Sequence, residues 1–320
     1  EDHSVTIPDP VDADYYFAGW YLDSRFEKPI SDYVEASNAD AIGKTVLDTD
    51  QLADANLMTN QNLYAKRTYN VSFDANEGSI EAKDAKLTDC VRGVTYRTDN
   101  TASRTGYTLR GWNSSKEEAN LGRTQYGVNA GFNNLPDRFH EKDITLYAVW
   151  SPITYSIAFN SNGGTIQNAV SRYTMETDTF ALPDENDANK DNQNIYRNGY
   201  IFGGWYTSPD FGADEDERLL SATGSEKYLK QAVTNINPSE MVDYVDGTTL
   251  RLYAKWTPIE YTVNYYKDAK ASSASYSEKV KYDENRMFYT GIMNPGYAIN
   301  GWHTDKNEAS LGRTKYGAGN

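Results

Sequence analysis

A chain of 320 residues has room for two or three domains, and its 31 Lys and Arg against 46 Asp and Glu give a net charge of −15. That charge excludes nucleic acid and anionic membrane surfaces as general partners. No run of about 18 apolar residues is present to span a bilayer, and the acidic opening "EDHSVTIPDP" lacks the apolar stretch of a signal peptide. The single Cys, Cys90, excludes an intrachain disulfide framework and reads as a small buried hydrophobe. The 26 Tyr, set among Thr, Asn, Asp and Gly, suit many short half-buried strands with polar turns, so the chain is expected to be mainly β.

In chain order, Gly-Trp first occurs in "YYFAGWY" (15–21), followed by a long acidic insertion (21–61) and then "QNLYAKRTYNVSF" (61–73). There Tyr69, Val71 and Phe73 alternate with polar residues, the period of a half-buried strand. After the turn "DANEGSI" (74–80), the second Gly-Trp lies in "GYTLRGWN" (106–113) and leads into "SSKEEANLGRTQYG" (114–127). "LGRTQYG" lacks the Gly-Lys-Ser/Thr ending of a phosphate loop, and it reads as a turn with Arg123 packed along a strand, as does "LGRTKYG" with Arg313. "ITLYAVWSPITYSIAF" (144–159) restates the earlier phrase, with Tyr155, Ile157 and Phe159 alternating. In "NSNGGTI" (160–166), Asn162-Gly163-Gly164 tolerate positive φ and predict a tight hairpin turn into the strand "VSRYTM" (170–175).

The third Gly-Trp, "GYIFGGWY" (199–206), precedes a second acidic insertion (206–248), and "LRLYAKWTPIEYTVNYY" (250–266) gives the phrase a third time. Leu252, Ala254 and Trp256 share one strand face, read as inward, and Tyr253 and Lys255 the other. The fourth Gly-Trp is in "GYAINGWH" (296–303), and "TDKNEASLGRTKYG" (304–317) repeats 114–127. Trp20, Trp112, Trp205 and Trp302 are thus 92, 93 and 97 residues apart, while Trp150 and Trp256 end the Leu-Tyr-Ala phrase. Such self-similarity marks a repeat architecture. All six Trp are expected to be structural core, and the repeats alternate between two types.

The boundaries expected are 1–67 (a partial repeat), 68–151 (complete), 152–257 (complete, with a long acidic insertion) and 258–320 (partial, without its last strand). Thr/Ser-Pro joints restrain the seams, because proline fixes its own φ and restricts the residue before it. The joint Arg67-Thr68-Tyr69 has no Pro and is expected to be either the most flexible or held by direct packing.

Candidate sites are few. Asp187, Asn189 and Asp191 stand at the first, third and fifth positions of a calcium-loop pattern, but Asn192 and Asn198 occupy the places of its Gly and bidentate Glu. His3, His140 and His303 follow no zinc or triad spacing, and no nucleophile elbow is present. The chain is therefore expected to be no enzyme and to need no cofactor. Tyr126, Tyr316, Tyr228 and Tyr244 lie outside the alternating strands and are the candidates for ligand contact.

"YSIAFNSNGG" (155–164), "RNGYIFGGWY" (197–206) and "LYAKW" (252–256), in that order, resemble the Listeria/Bacteroides repeat family, also called internalin B-type repeats. The resemblance covers nearly the whole chain. It implies small β-grasp-like, ubiquitin-like α+β modules strung in an elongated tandem array on bacterial cell-envelope proteins. Implied with it are an extracellular, surface location and a stalk or scaffold role whose partners are neighbouring repeats. Two further readings stay open: an adhesin that binds glycan or protein through its insertions, and an accessory arm of a secreted enzyme.

Overall fold

The computed structural model describes residues 4–33, 44–55, 57, 61–185, 194–211 and 232–318. It is mainly β, as the composition indicated. The chain divides into two compact units, Glu1–Ile153 and Thr154–Asn320.

In the first unit the organising element is the strand Tyr64–Asp74. Its first half pairs antiparallel with the Gly-Trp strand Tyr16–Tyr21, and its second half runs parallel to the closing strand Asp143–Pro152. On its other edge lies the antiparallel strand Lys86–Val91. The closing strand in turn pairs antiparallel with the Gly-Trp strand Tyr107–Asn113, which carries the short edge strand Tyr126–Gly127. Alternation along Tyr64–Asp74 sends Tyr69, Val71 and Phe73 to one side, where they pack with Cys90, Trp112, Leu146, Ala148 and Trp150.

The second unit repeats the plan: Tyr155–Asn160 lies between Arg172–Tyr173 (antiparallel) and Thr249–Pro258 (parallel), and the latter pairs antiparallel with Tyr200–Tyr206. The last repeat contributes two separate hairpins, Glu260–Tyr265 with Tyr276–Lys281 and Gly301–Trp302 with Tyr316–Gly317.

Short helices follow two of the Gly-Trp strands. Ser115 and Asp305 precede Glu118 and Glu308 by three residues, the spacing that caps a helix start. The Ser115 hydroxyl accepts from the Glu118 amide at 3.3 Å, and the Asp305 carboxylate accepts from the Asn307 and Glu308 amides. Arg123 and Arg313 reach back to Glu118 and Glu308 at 2.7 and 2.6 Å and stay largely solvated. Neither packs along a strand as expected: the glutamate five residues back is the partner of each guanidinium, which stays at the surface.

The expected hairpin into 170–175 forms, with Tyr155–Asn160 antiparallel to Arg172–Tyr173. Its connection is longer than a tight turn, because Thr165–Gln167 leaves it to pair with Asn194–Tyr196. Asn162 Nδ2 donates to the Ala254 carbonyl at 2.8 Å, tying the start of the connection to the closing strand.

Candidate functional site

Within a repeat, the two Trp positions do different work. The Gly-Trp residue fills the core: Trp112 and Trp205 are 0% and 1% exposed, and their Nε1 atoms donate to the carbonyls of Asp99 and Pro183. Each meets the aromatic of the first strand edge-on, Phe73–Trp112 and Phe159–Trp205 with centroids 4.9 Å apart, Tyr265–Trp302 at 4.8 Å. The preceding glycine sits where the ladder register shifts, with φ of +145° at Gly111 and +100° at Gly204. A side chain there would be strained, and at Gly111 its Cβ would fall 2.1 Å from the Tyr126 carbonyl oxygen.

The closing-strand Trp instead clasps the turn after the first strand. Trp150 Nε1 donates to the Ala75 and Asn76 carbonyls, and Trp256 Nε1 donates to the Ser161 carbonyl. Reciprocally, Asn76 Nδ2 donates to the Ala148 carbonyl at 3.0 Å, as Asn162 does to Ala254. Both asparagines have left-handed φ, near +45°. Gly78 and Gly164 give the indole its space, since a Cβ would fall 2.6 and 2.4 Å from Cζ2 of Trp150 and Trp256. The Asn-x-Gly signature is thus one half of a clasp whose other half is the Trp about 70 to 95 residues later.

Trp150 is buried, whereas Trp20, Trp256 and Trp302 are half-buried. Tyr126, Tyr244 and Tyr316 are half-buried. Tyr126 and Tyr316 lie opposite Trp112 and Trp302 in the ladder, and burial raises the Tyr126 hydroxyl pKa. Tyr228 and the calcium candidates Asp187, Asn189 and Asp191 fall outside the described residues. Among the described residues no cluster of three metal-ligating side chains occurs.

What the structure brings together, and sequence reading did not, is a pair of module seams built on one recurring tyrosine. Tyr15 and Tyr200 stand at the same place, five residues before the Gly-Trp tryptophan. The Tyr15 hydroxyl donates to Asp137 at 2.6 Å, and the Tyr200 hydroxyl donates to Asp283 at 2.9 Å. In both cases the carboxylate belongs to the following repeat. The side chain just past the end of that repeat's second strand lies against each ring: the Arg92 guanidinium 5.4 Å from the Tyr15 centroid, the Tyr282 ring 5.5 Å from that of Tyr200.

Electrostatics tighten the first seam. Burial, then the bond to Asp137, push the Tyr15 hydroxyl up to about 12, while the Tyr15 bond and the Arg92 guanidinium hold Asp137 below its ordinary value. Tyr16 donates to Asp143, which also accepts from Asn70 at 2.7 Å, and His140 Nδ1 lies 3.2 Å from Asp14. The backbone does more. Relative to the seam Thr257-Pro258-Ile259-Glu260-Tyr261, the sequence Thr68-Tyr69 omits the Pro-Ile-Glu segment, and the strand passes straight from one repeat into the next. Thr68, 2% exposed, is paired with Tyr16 on one side and Val91 on the other. Of the two outcomes expected for this joint, the structure has direct packing. At the second described seam, Ile259 donates to the Gly199 carbonyl and accepts from the Tyr282 amide, each at 2.9 Å.

The Listeria-Bacteroides repeat domain matches this chain over residues 1–42, 69–149 and 155–223, and the chain belongs to that family. Two proteins of Evansella cellulosilytica are similar to it. One, provisionally named a Gly-rich membrane protein, is 26% identical over 252 residues, covering 76% of this chain and 24% of its own length. The other, provisionally named a membrane protein, is 25% identical over 248 residues, 76% of this chain and 29% of its own. The chain therefore spans only about a quarter of the length of these relatives. No solved structure matches it. No helix among the described residues is long and apolar enough to cross a membrane.

Proposed function

We propose that this chain is a non-enzymatic spacer and interaction scaffold within a larger bacterial cell-surface protein, with a restrained seam between repeats inside each compact unit. The observation that carries the reading is the unbroken strand Tyr64–Asp74, which serves two repeats at once with Thr68 paired on both edges. A flexible string of modules needs a solvated linker at each joint, whereas a spacer that holds a distance needs joints with backbone hydrogen bonds and little free rotation. The strand order in each complete repeat is second, first, last, third, with the last parallel to the first. That order supports a tandem β-grasp-like arrangement. An extracellular location rests on the family membership and on the names of the two relatives.

The test is a distance distribution across the first seam. With dyes on Lys28→Cys and Lys83→Cys, both exposed positions, single-molecule energy transfer is expected to give one narrow peak. A broad distribution in the unaltered seam would remove the spacer reading.

A further inference from the structure

In each complete repeat the chain enters through the first strand and leaves through the closing strand, and these two lie side by side and run parallel. Residues 70–74 stand beside 143–147 in the earlier repeat, and 156–160 beside 249–253 in the later one. Both ladders open on the same bond, from the Asn70 amide to the Lys142 carbonyl and from the Ser156 amide to the Thr248 carbonyl, each at 2.8 Å. Entry is at the foot of the ladder, at Thr68 and Tyr155, and exit is past its head, at Pro152 and Pro258. A pull along the polypeptide therefore draws the first strand one way and the closing strand the other. Parallel neighbours drawn in opposite directions slide along their shared ladder, so its hydrogen bonds are strained together. An antiparallel pair pulled from one end parts bond by bond.

Two further features oppose that sliding. The closing strand is bonded on its other edge as well, antiparallel to the Gly-Trp strand. Water has little access to the ladder: Val71, Leu146 and Ala148 in the earlier repeat, and Leu250, Leu252 and Ala254 in the later, are 0% exposed. A bond broken there is not at once replaced by one to solvent, which raises the cost of the first slip. The clasp then adds bonds at the head of the ladder. Asn76 and Asn162 stand two residues past the last ladder pair and donate to the Ala148 and Ala254 carbonyls on the closing strand. Trp150 and Trp256 donate back from that strand to the turn. Every one of these bonds joins the two strands that tension draws apart.

We propose that each complete repeat is a shear clamp that carries tension along the polypeptide, with the Asn-Trp clasp as its lock. At the first seam the load passes without a linker, since the strand Tyr64–Asp74 runs on from the earlier repeat into the first strand of the next. The function goes beyond the spacer reading, which concerns the joints and not the strength of the repeats. A rigid array that yields easily under tension and a flexible array that resists it are both physically sound, so the two readings fail separately.

The test stretches the full chain by single-molecule force spectroscopy between handles at its two ends. Two high-force events are expected, each releasing the length of one complete repeat. Handles moved to Thr105→Cys and Thr154→Cys, exposed positions next to the paired residues Tyr107 and Pro152, instead unzip the closing strand from the Gly-Trp strand. In that geometry the force for the earlier repeat is expected to fall by about twofold or more, because unfolding under force follows the barrier along the pulled direction. Asn76→Gly removes a clasp bond while glycine accepts the left-handed backbone, and it should lower the end-to-end force of that repeat. Leu135→Ala, which empties a core position away from the ladder, should cost more in chemical denaturation and less in force. Equal forces in the two pulling geometries would overturn the proposal. So would forces that follow chemical stability alone across Asn76→Gly and Leu135→Ala.

Discussion

Tyr15 and Asp137, 122 positions apart in the chain, are joined by a 2.6 Å hydrogen bond across the boundary between two repeats. Removing the hydroxyl while keeping the ring, with Tyr15→Phe, is expected to cost about 1 kcal/mol, the scale of a bond to a carboxylate reduced for its solvent exposure. Chemical denaturation of the first unit checks the loss, which should disappear in the background of Asp137→Ala, where the acceptor is gone. A full additive loss there would show that the bond contributes nothing of its own.

The same pair sets a pH dependence at both ends of the scale. Asp137 is held below its ordinary value in the fold, so its contribution is complete above about pH 4 and disappears as pH falls through the depressed value. Tyr15 is raised to about 12, so its contribution is complete below about pH 10 and is lost as pH climbs through that raised value. Melting temperature against pH should therefore show both limbs, and Tyr15→Phe should remove that residue's part of the alkaline one. An unchanged alkaline limb in the variant would assign it elsewhere, for instance to buried Tyr69 or Tyr173.

Gly78→Ala and Gly164→Ala place a methyl group against the clasping indoles of Trp150 and Trp256. Overpacking of this kind costs about 1–3 kcal/mol. Because Gly164 has ordinary φ, the loss there reports on the indole contact and not on backbone strain. Trp256→Leu in the same background is expected to restore part of the stability; no recovery would mean that the glycine is needed for another reason.

Cys90 is wholly buried, and burial pushes its thiol up to about 11. A thiol reagent at pH 8 should leave the native chain unmodified and label one site on unfolding, because the thiolate is the reacting form. Labelling of the folded chain within minutes would show that the first unit opens locally.

Trp112→Ala empties the centre of its repeat and is expected to cost about 3–5 kcal/mol. Trp302→Ala, at a half-buried position, should cost distinctly less, measured by the same denaturation.

The repeat plan was legible because period-two alternation and a recurring Gly-Trp are local properties. Tyr69, Val71 and Phe73 announce a strand without reference to anything distant. The hairpin from 155–159 into 170–175 was legible too, but the length of its connection was not: Asn162 is tied to Ala254, 92 residues away, and no local pattern reveals that bond. The seam tyrosines carried a signal that was present but unused, a Tyr at 15, 107, 200 and 297 with constant spacing to the next Gly-Trp. Tyr126 and Tyr316 stood out as irregular in sequence because their strands are two residues long, too short to show alternation.

The doubly paired Thr68 bears on how the first unit melts. A linear array with independent joints loses its modules one at a time, each with its own transition. Here the Gly-Trp strand of the first repeat has its ladder partner on the same strand that begins the second repeat's core. Neither can dissolve without disturbing the other's hydrogen bonds. Heat should therefore carry residues 4–33 and 61–153 through a single cooperative transition, the smaller body drawing its thermal resistance from the larger.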